Sequence, residues 1–140
     1  MNDRHPTKRV QLPNGTRPGI DIMLVPLIKA LWKAGYETIG SCQDTGESGG
    51  TASPAWGARW KGYALLEMRS EDACRLLDAV KDTPQFHDRM HWAAAGAWSV
   101  SVPVLPFGGW YGDAAEVSPW AQVRFPNDQI DDLVKVITAG

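Results

Sequence analysis

The sequence predicts an α+β domain, on three observations. Apolar residues recur at helical spacing in three stretches. Four other stretches alternate apolar and polar residues as strands do. The two kinds follow each other in the order α-β-β-α-β-β-α. Strands that alternate faces imply an antiparallel or mixed sheet with the helices on one face. At 140 residues, 44% hydrophobic and 21% charged, the chain suits a single domain with its own core.

Residues 1–20 are punctuated by Pro6, Pro13, Gly15, Pro18 and Gly19, and they read as an irregular N-terminal arm before a domain at 21–140. Arg4, His5, Lys8, Arg9 and Arg17 crowd this arm and read as a solvated tail. Leu24, Leu27, Ile28 and Leu31 then mark the first helix, Ile22 to Ala34, with Pro26 in its first turn and Gly35 as its left-handed stop. The first strand is Tyr36 to Cys42. The segment Gln43 to Gly62 is rich in Gly, Ser and Thr and shows no period, so it reads as a long loop.

"YALLEMR", Tyr63 to Arg69, is the second strand. Ser70 is placed to cap the second helix, which Ala73, Leu76, Leu77 and Val80 define. "WSVSVPVL", Trp98 to Leu105, is the third strand, and Pro103 marks it as an edge or a bulge. A Gly/Pro/Asp loop precedes the fourth strand, Trp120 to Phe125. Asn127 is placed to cap the third helix, carried by Ile130, Leu133, Val134 and Ile137. A shift of 57 lays Leu66 on Val123 and Leu76 on Leu133, a weak internal repeat of strand, cap and helix.

A net charge of −2 argues against a dedicated nucleic-acid binder, so nucleic acid is an unlikely partner. No apolar run is long enough for a bilayer, and the two cysteines, Cys42 and Cys74, make no disulfide framework. A cytoplasmic setting follows as the default. Cys74, within the second helix, reads as a small apolar side chain.

Thr38, Ser41 and Cys42 carry a resemblance. A helix, then "Y-x-T" and "S-C", then a strand and a helix is similar to the third-step wybutosine-synthesis family of tRNA-modifying proteins. That family has Thr-x-Ser-Ser-Cys-Ser-Gly-Arg after its first helix. Here Gly40, Gln43, Asp44 and Thr45 stand where it has serine, serine, glycine and arginine. The resemblance implies S-adenosylmethionine-dependent chemistry on a nucleotide or RNA, and the missing arginine removes an anion contact from that picture. The run Gly35 to Gln43 also resembles a G-x-x-T-x-x-S-C-Q segment of small actinobacterial and phage proteins, which implies no activity.

Cys42 ends a strand beside a glycine-rich segment, a place for a nucleophile or a ligand contact. A nucleophile needs a base or cation beside the thiol, whereas the chain neighbours here are Gln43, Asp44 and Glu47. The bland alternative is a structural thiol. "HDRMH", His87 to His91, nearly matches a helical zinc-hydrolase motif; its alternative is a surface turn, and no metal ligands are assigned. "TGESGGTAS" lacks the lysine of a P-loop and reads as flexible. Trp56, Trp60, Trp92, Trp110 and Trp120 lie in or beside loops, suited to stacking on a ligand or to plugging a sheet face.

The reading that follows is a small cytoplasmic binding domain. Its pocket lies at the end of the first strand, under the 43–62 loop. Thr38, Ser41, Cys42, Gln43 and Asp44 supply polar contacts, and Trp56 and Trp60 supply a wall. The ligand is a small molecule, nucleotide-like among the options, or a protein. The alternatives are an S-adenosylmethionine-dependent nucleotide- or RNA-modifying enzyme and a metal-dependent hydrolase. Catalytic residues, cofactor and oligomeric state are not assigned.

Overall fold

A computed structural model describes residues 5–48, 54–91, 94–102, 104–105, 116–117 and 119–140. It has the α+β fold. The chain begins with a hairpin, β1 (Thr7–Arg9) against β2 (Gly19–Asp21), with Thr7 opposite Asp21. The expected irregular arm is thus partly ordered as a sheet. Its turn needs the glycine: Gly15 has φ +90°, and its N–H donates to the Leu12 carbonyl at 2.9 Å. Val10, Leu12 and Ile20 bury into the core, which pins the hairpin to the body of the protein. His5, expected in a solvated tail, is only 8% exposed.

Ile22–Leu24 form a 3₁₀ turn leading into α1 (Val25–Lys33), where Pro26 occupies the first turn without losing a helical hydrogen bond. Gly35, at φ +91°, ends the helix, and the Tyr36 N–H returns to the Leu31 carbonyl. β3 (Thr38–Cys42) follows. The 43–62 segment, expected as a loop, contains two short helices, α2 (Thr45–Ser48) and α3 (Pro54–Trp60). Glycine serves close approach here. A Cβ on Gly46 would sit 2.5 Å from Lys61 Cα and 2.6 Å from the Gly57 carbonyl.

β4 (Tyr63–Arg69) runs directly into α4 (Ser70–Val80). Ser70 does not cap this helix. Its hydroxyl and N–H both donate to the Pro119 carbonyl, tying the strand end to the neighbouring strand. α5 (Pro84–His87) buries Phe86. The expected strand from Trp98 to Leu105 is divided into β5 (Ser99–Ser101) and β6 (Val104–Leu105), the latter paired with β7 (Glu116–Val117). β8 (Trp120–Pro126) leads through a 3₁₀ turn, Asn127–Gln129, to α6 (Ile130–Ala139). Asn127 lies inside that turn, and its amide donates to the Gln43 carbonyl instead of capping.

The main sheet has the order β3-β4-β8-β5 and is wholly antiparallel. Ala64, Leu66 and Met68 pair with Phe125, Val123 and Ala121, all buried beneath the face that α1, α4 and α6 cover. Trp98 stacks on Phe125 with centroids 5.0 Å apart, meets Phe86 edge-on at 5.6 Å, and donates its indole N–H to Gln129. Val100, in the edge strand β5, and Val102, just beyond it, are exposed. Among the described residues no helix is long and apolar enough to cross a membrane. Trp92, Trp110, Pro103, Gly49 and Gly50 lie outside the described residues.

Candidate functional site

β3 is an edge strand of the main sheet, and β2 runs beside it without joining its hydrogen-bond ladder. A groove of about 180 Å³ lies between them, bordered by Pro18, Gly19 and Ile20 on one side and Thr38, Ile39, Gly40 and Ser41 on the other. Leu12 also lines it. The β3–β4 register shifts between Thr38 and Gly40, a bulge that turns Ile39 out to 57% exposure. A Cβ at Gly40 would meet the Glu67 carboxylate, so a larger residue there would displace that side chain.

The two strands are joined at their far end, where the Gln43 N–H donates to Asp21 Oδ2 at 2.8 Å. That contact brings Asp21 beside Cys42. His5, carried in by β1, completes a cluster in which one ligand-type atom from each of His5, Asp21 and Cys42 lies within 4.8 Å of the others. His5 Nδ1 is 3.5 Å from Asp21 Oδ2. Imidazole and aspartate are largely buried, and the thiol is half-buried. Thiol, imidazole and carboxylate together suit two chemistries: thiolate activation by a base, and coordination of a soft divalent metal.

The expected site residues divide between this region and the packing around it. Thr38 and Ser41 border the groove, although the Thr38 hydroxyl also accepts the Trp32 indole N–H at 3.0 Å. Cys42 belongs to the cluster, and Gln43 braces it through its backbone. Asp44 is buried and accepts the Gly62 N–H at 3.0 Å, closing the base of the 43–62 segment. Trp60 has Arg59 4.1 Å and Arg124 4.8 Å from its ring centroid, and it meets Tyr63 edge-on. It packs against the sheet face opposite the three long helices, since Arg124 alternates with Val123 and Phe125. Burial pushes the Arg124 guanidinium below its usual value, opposed by Glu67 and reinforced by Arg59. Trp56 lies on α3, and its side chain is outside the described residues.

The groove therefore sits against the hairpin and is lined by no residue of 43–62, while α2 and α3 pack against each other. His87 and His91 do not share a helix face, because α5 ends at His87. His87 instead contacts Asp88 at 3.2 Å on the open surface. Cys74 is exposed, so it is not the apolar filler expected. A second cavity, about 200 Å³, lies between α1 and α6 beside Ala30 and Ile137.

His5 and Asp21 were missed in sequence because no spacing relates them to Cys42. The readable signal was the alternation of Val10 and Leu12, an apolar strand pattern inside the supposed tail. Compared with protein-family models, curated proteins and solved structures, the chain has no match, so its site is read from its own residues.

Proposed function

We propose that the chain is a small ligand-binding domain whose site is the β2–β3 groove at the end of the strand Thr38–Cys42. The observation that carries this reading is the pair of facing strand edges that do not hydrogen-bond each other in a shared ladder. Such edges offer backbone donors and acceptors to a guest. Leu12 and Ile20 supply apolar contact, and Ser41 is followed in β3 by Cys42, which lies beside Asp21 and His5. At about 180 Å³ the groove is smaller than the roughly 300–1,000 Å³ of clefts for drug-sized ligands. The guest is accordingly a compact amide-bearing molecule or the extended end of a peptide, and a whole nucleotide would protrude.

Nitrogen-15 NMR of the full chain tests this. The panel is amino-acid amides, short peptides, nucleotides and S-adenosylmethionine. The expected response to an amide ligand is a saturable shift at Ile20, Ile39, Gly40 and Ser41. Shifts gathered at Ala30 and Ile137 would place binding in the other cavity and end the reading. A response to S-adenosylmethionine alone would favour the nucleotide- or RNA-modifying alternative.

A further inference from the structure

We propose that His5, Asp21 and Cys42, next to the strand that borders the groove, form a binding site for a thiophilic divalent cation of the zinc type. The inference deepens the groove reading by assigning a metal beside that strand, but metal binding is measured without any groove guest.

Three arguments carry it. The first is the donor set. Thiolate and imidazole select zinc-like ions over magnesium and calcium, and a carboxylate completes a set found in zinc proteins. The second is geometry. Tetrahedral zinc at its usual bond lengths holds its ligand atoms about 3.3–3.6 Å apart. The His5–Asp21 separation of 3.5 Å already matches, and all three ligand atoms lie within 4.8 Å of one another. Among the described residues three protein ligands are assembled, the number that leaves a fourth position for water or a ligand. The third is support. The Gln43 N–H holds Asp21 Oδ2 at 2.8 Å, the kind of outer contact that orients a metal-binding carboxylate. His5 is held in place by the hairpin that follows it, which Val10, Leu12 and Ile20 anchor to the core.

The ligands come from three elements: the segment before β1, the end of β2 and the end of β3. A bound cation would therefore clamp the hairpin onto the sheet edge and add its binding free energy to the fold.

The test uses the full chain, reduced with a phosphine and stripped with a chelator. Cobalt(II) is titrated as a spectroscopic probe, and zinc(II) is titrated with a competing chromophoric chelator. The expected results are one metal per chain, a sulfur-to-cobalt charge-transfer band, and a melting temperature that rises with zinc. Cys42→Ser should abolish the band, and Asp21→Asn should weaken zinc at least about tenfold. Cys74→Ser should change neither. His5→Ala, which removes a ligand outside the regular elements, serves as a second loss-of-binding variant should Cys42→Ser fail to fold. The proposal is overturned by absence of a charge-transfer band, by a band surviving in Cys42→Ser or lost in Cys74→Ser, or by unaltered zinc affinity in His5→Ala. Zinc binding without a groove response to amides would retain the metal site and remove the groove reading; the converse would do the reverse.

Discussion

Replacing Trp98 by Phe separates what the indole ring does from what its N–H does. Gln129 is 4% exposed, and its Oε1 accepts the Trp98 indole N–H at 2.8 Å, while its Nε2 donates to the Gln85 carbonyl at 2.9 Å. The phenyl ring keeps the stack on Phe125 but strands that buried carbonyl oxygen, which costs about 1–3 kcal/mol. Lost ring area adds roughly 1 kcal/mol. The expected total is about 2–4 kcal/mol. Gln129→Met costs a similar amount, because it orphans the indole N–H and the Gln85 carbonyl. In the double variant the Trp98–Gln129 pair is removed from both sides, so the cost falls short of the sum by roughly 1–2 kcal/mol. Urea unfolding of the four proteins, followed by far-ultraviolet circular dichroism, measures this. Additivity within about 0.5 kcal/mol would refute the idea that these two side chains hold each other in the core.

Gly46→Ala should destabilise by about 1–3 kcal/mol in the same unfolding assay, since its Cβ meets the Lys61 and Gly57 backbone; a neutral effect would mean that α2 and α3 slide apart freely. Asp44→Ala should cost about 1.5–3 kcal/mol through the lost Gly62 contact while leaving zinc affinity unchanged, which a metal titration beside a urea curve checks. Leu66→Ala, at the fully buried middle of β4, should cost about 2–5 kcal/mol, and a loss below 1 kcal/mol would place the sheet centre elsewhere. Trp60→Leu should lower stability and shift the NMR signals of Arg59, Tyr63 and Arg124 without altering the amide ligand's affinity for the groove; altered affinity would restore the tryptophan to the site.

What was legible in the sequence is what local periodicity encodes. The stripe of Leu24, Leu27, Ile28 and Leu31 needs no tertiary information to mark a helix, and neither do Ala64, Leu66 and Met68 to mark one face of a strand. Ser70 and Asn127 misled because a short polar side chain at a helix start is satisfied equally well by its own helix or by a distant partner. Here the partners are Pro119 and Gln43, brought close only by the sheet. Gly46 misled for a related reason. Glycine permits both flexibility and close backbone approach, and sequence does not distinguish them. The metal-type cluster was the least legible part, because His5, Asp21 and Cys42 come together only after a hairpin has docked.

The repeat separates the needs of the sheet from the features of the site. Leu66 pairs with Val123 across the centre of the sheet, and the same two residues are related by the 57-residue shift. β4 with α4 and β8 with α6 are therefore two strand–helix units of like register, their strands paired antiparallel. β3 flanks one unit as β5 flanks the other. Cys42 is opposite Leu65; its counterpart is opposite Gln122, and that residue is Ser101. A serine thus holds the equivalent ladder position, so the ladder itself does not demand a thiol at 42. Among the described residues the hairpin with His5 and Asp21 stands beside β3. The thiol coincides with the added hairpin, and not with the position common to both units. Metal-free Cys42→Ser should for that reason unfold within about 0.5 kcal/mol of the parent. A larger loss would return Cys42 to the structural role that the ladder denies it.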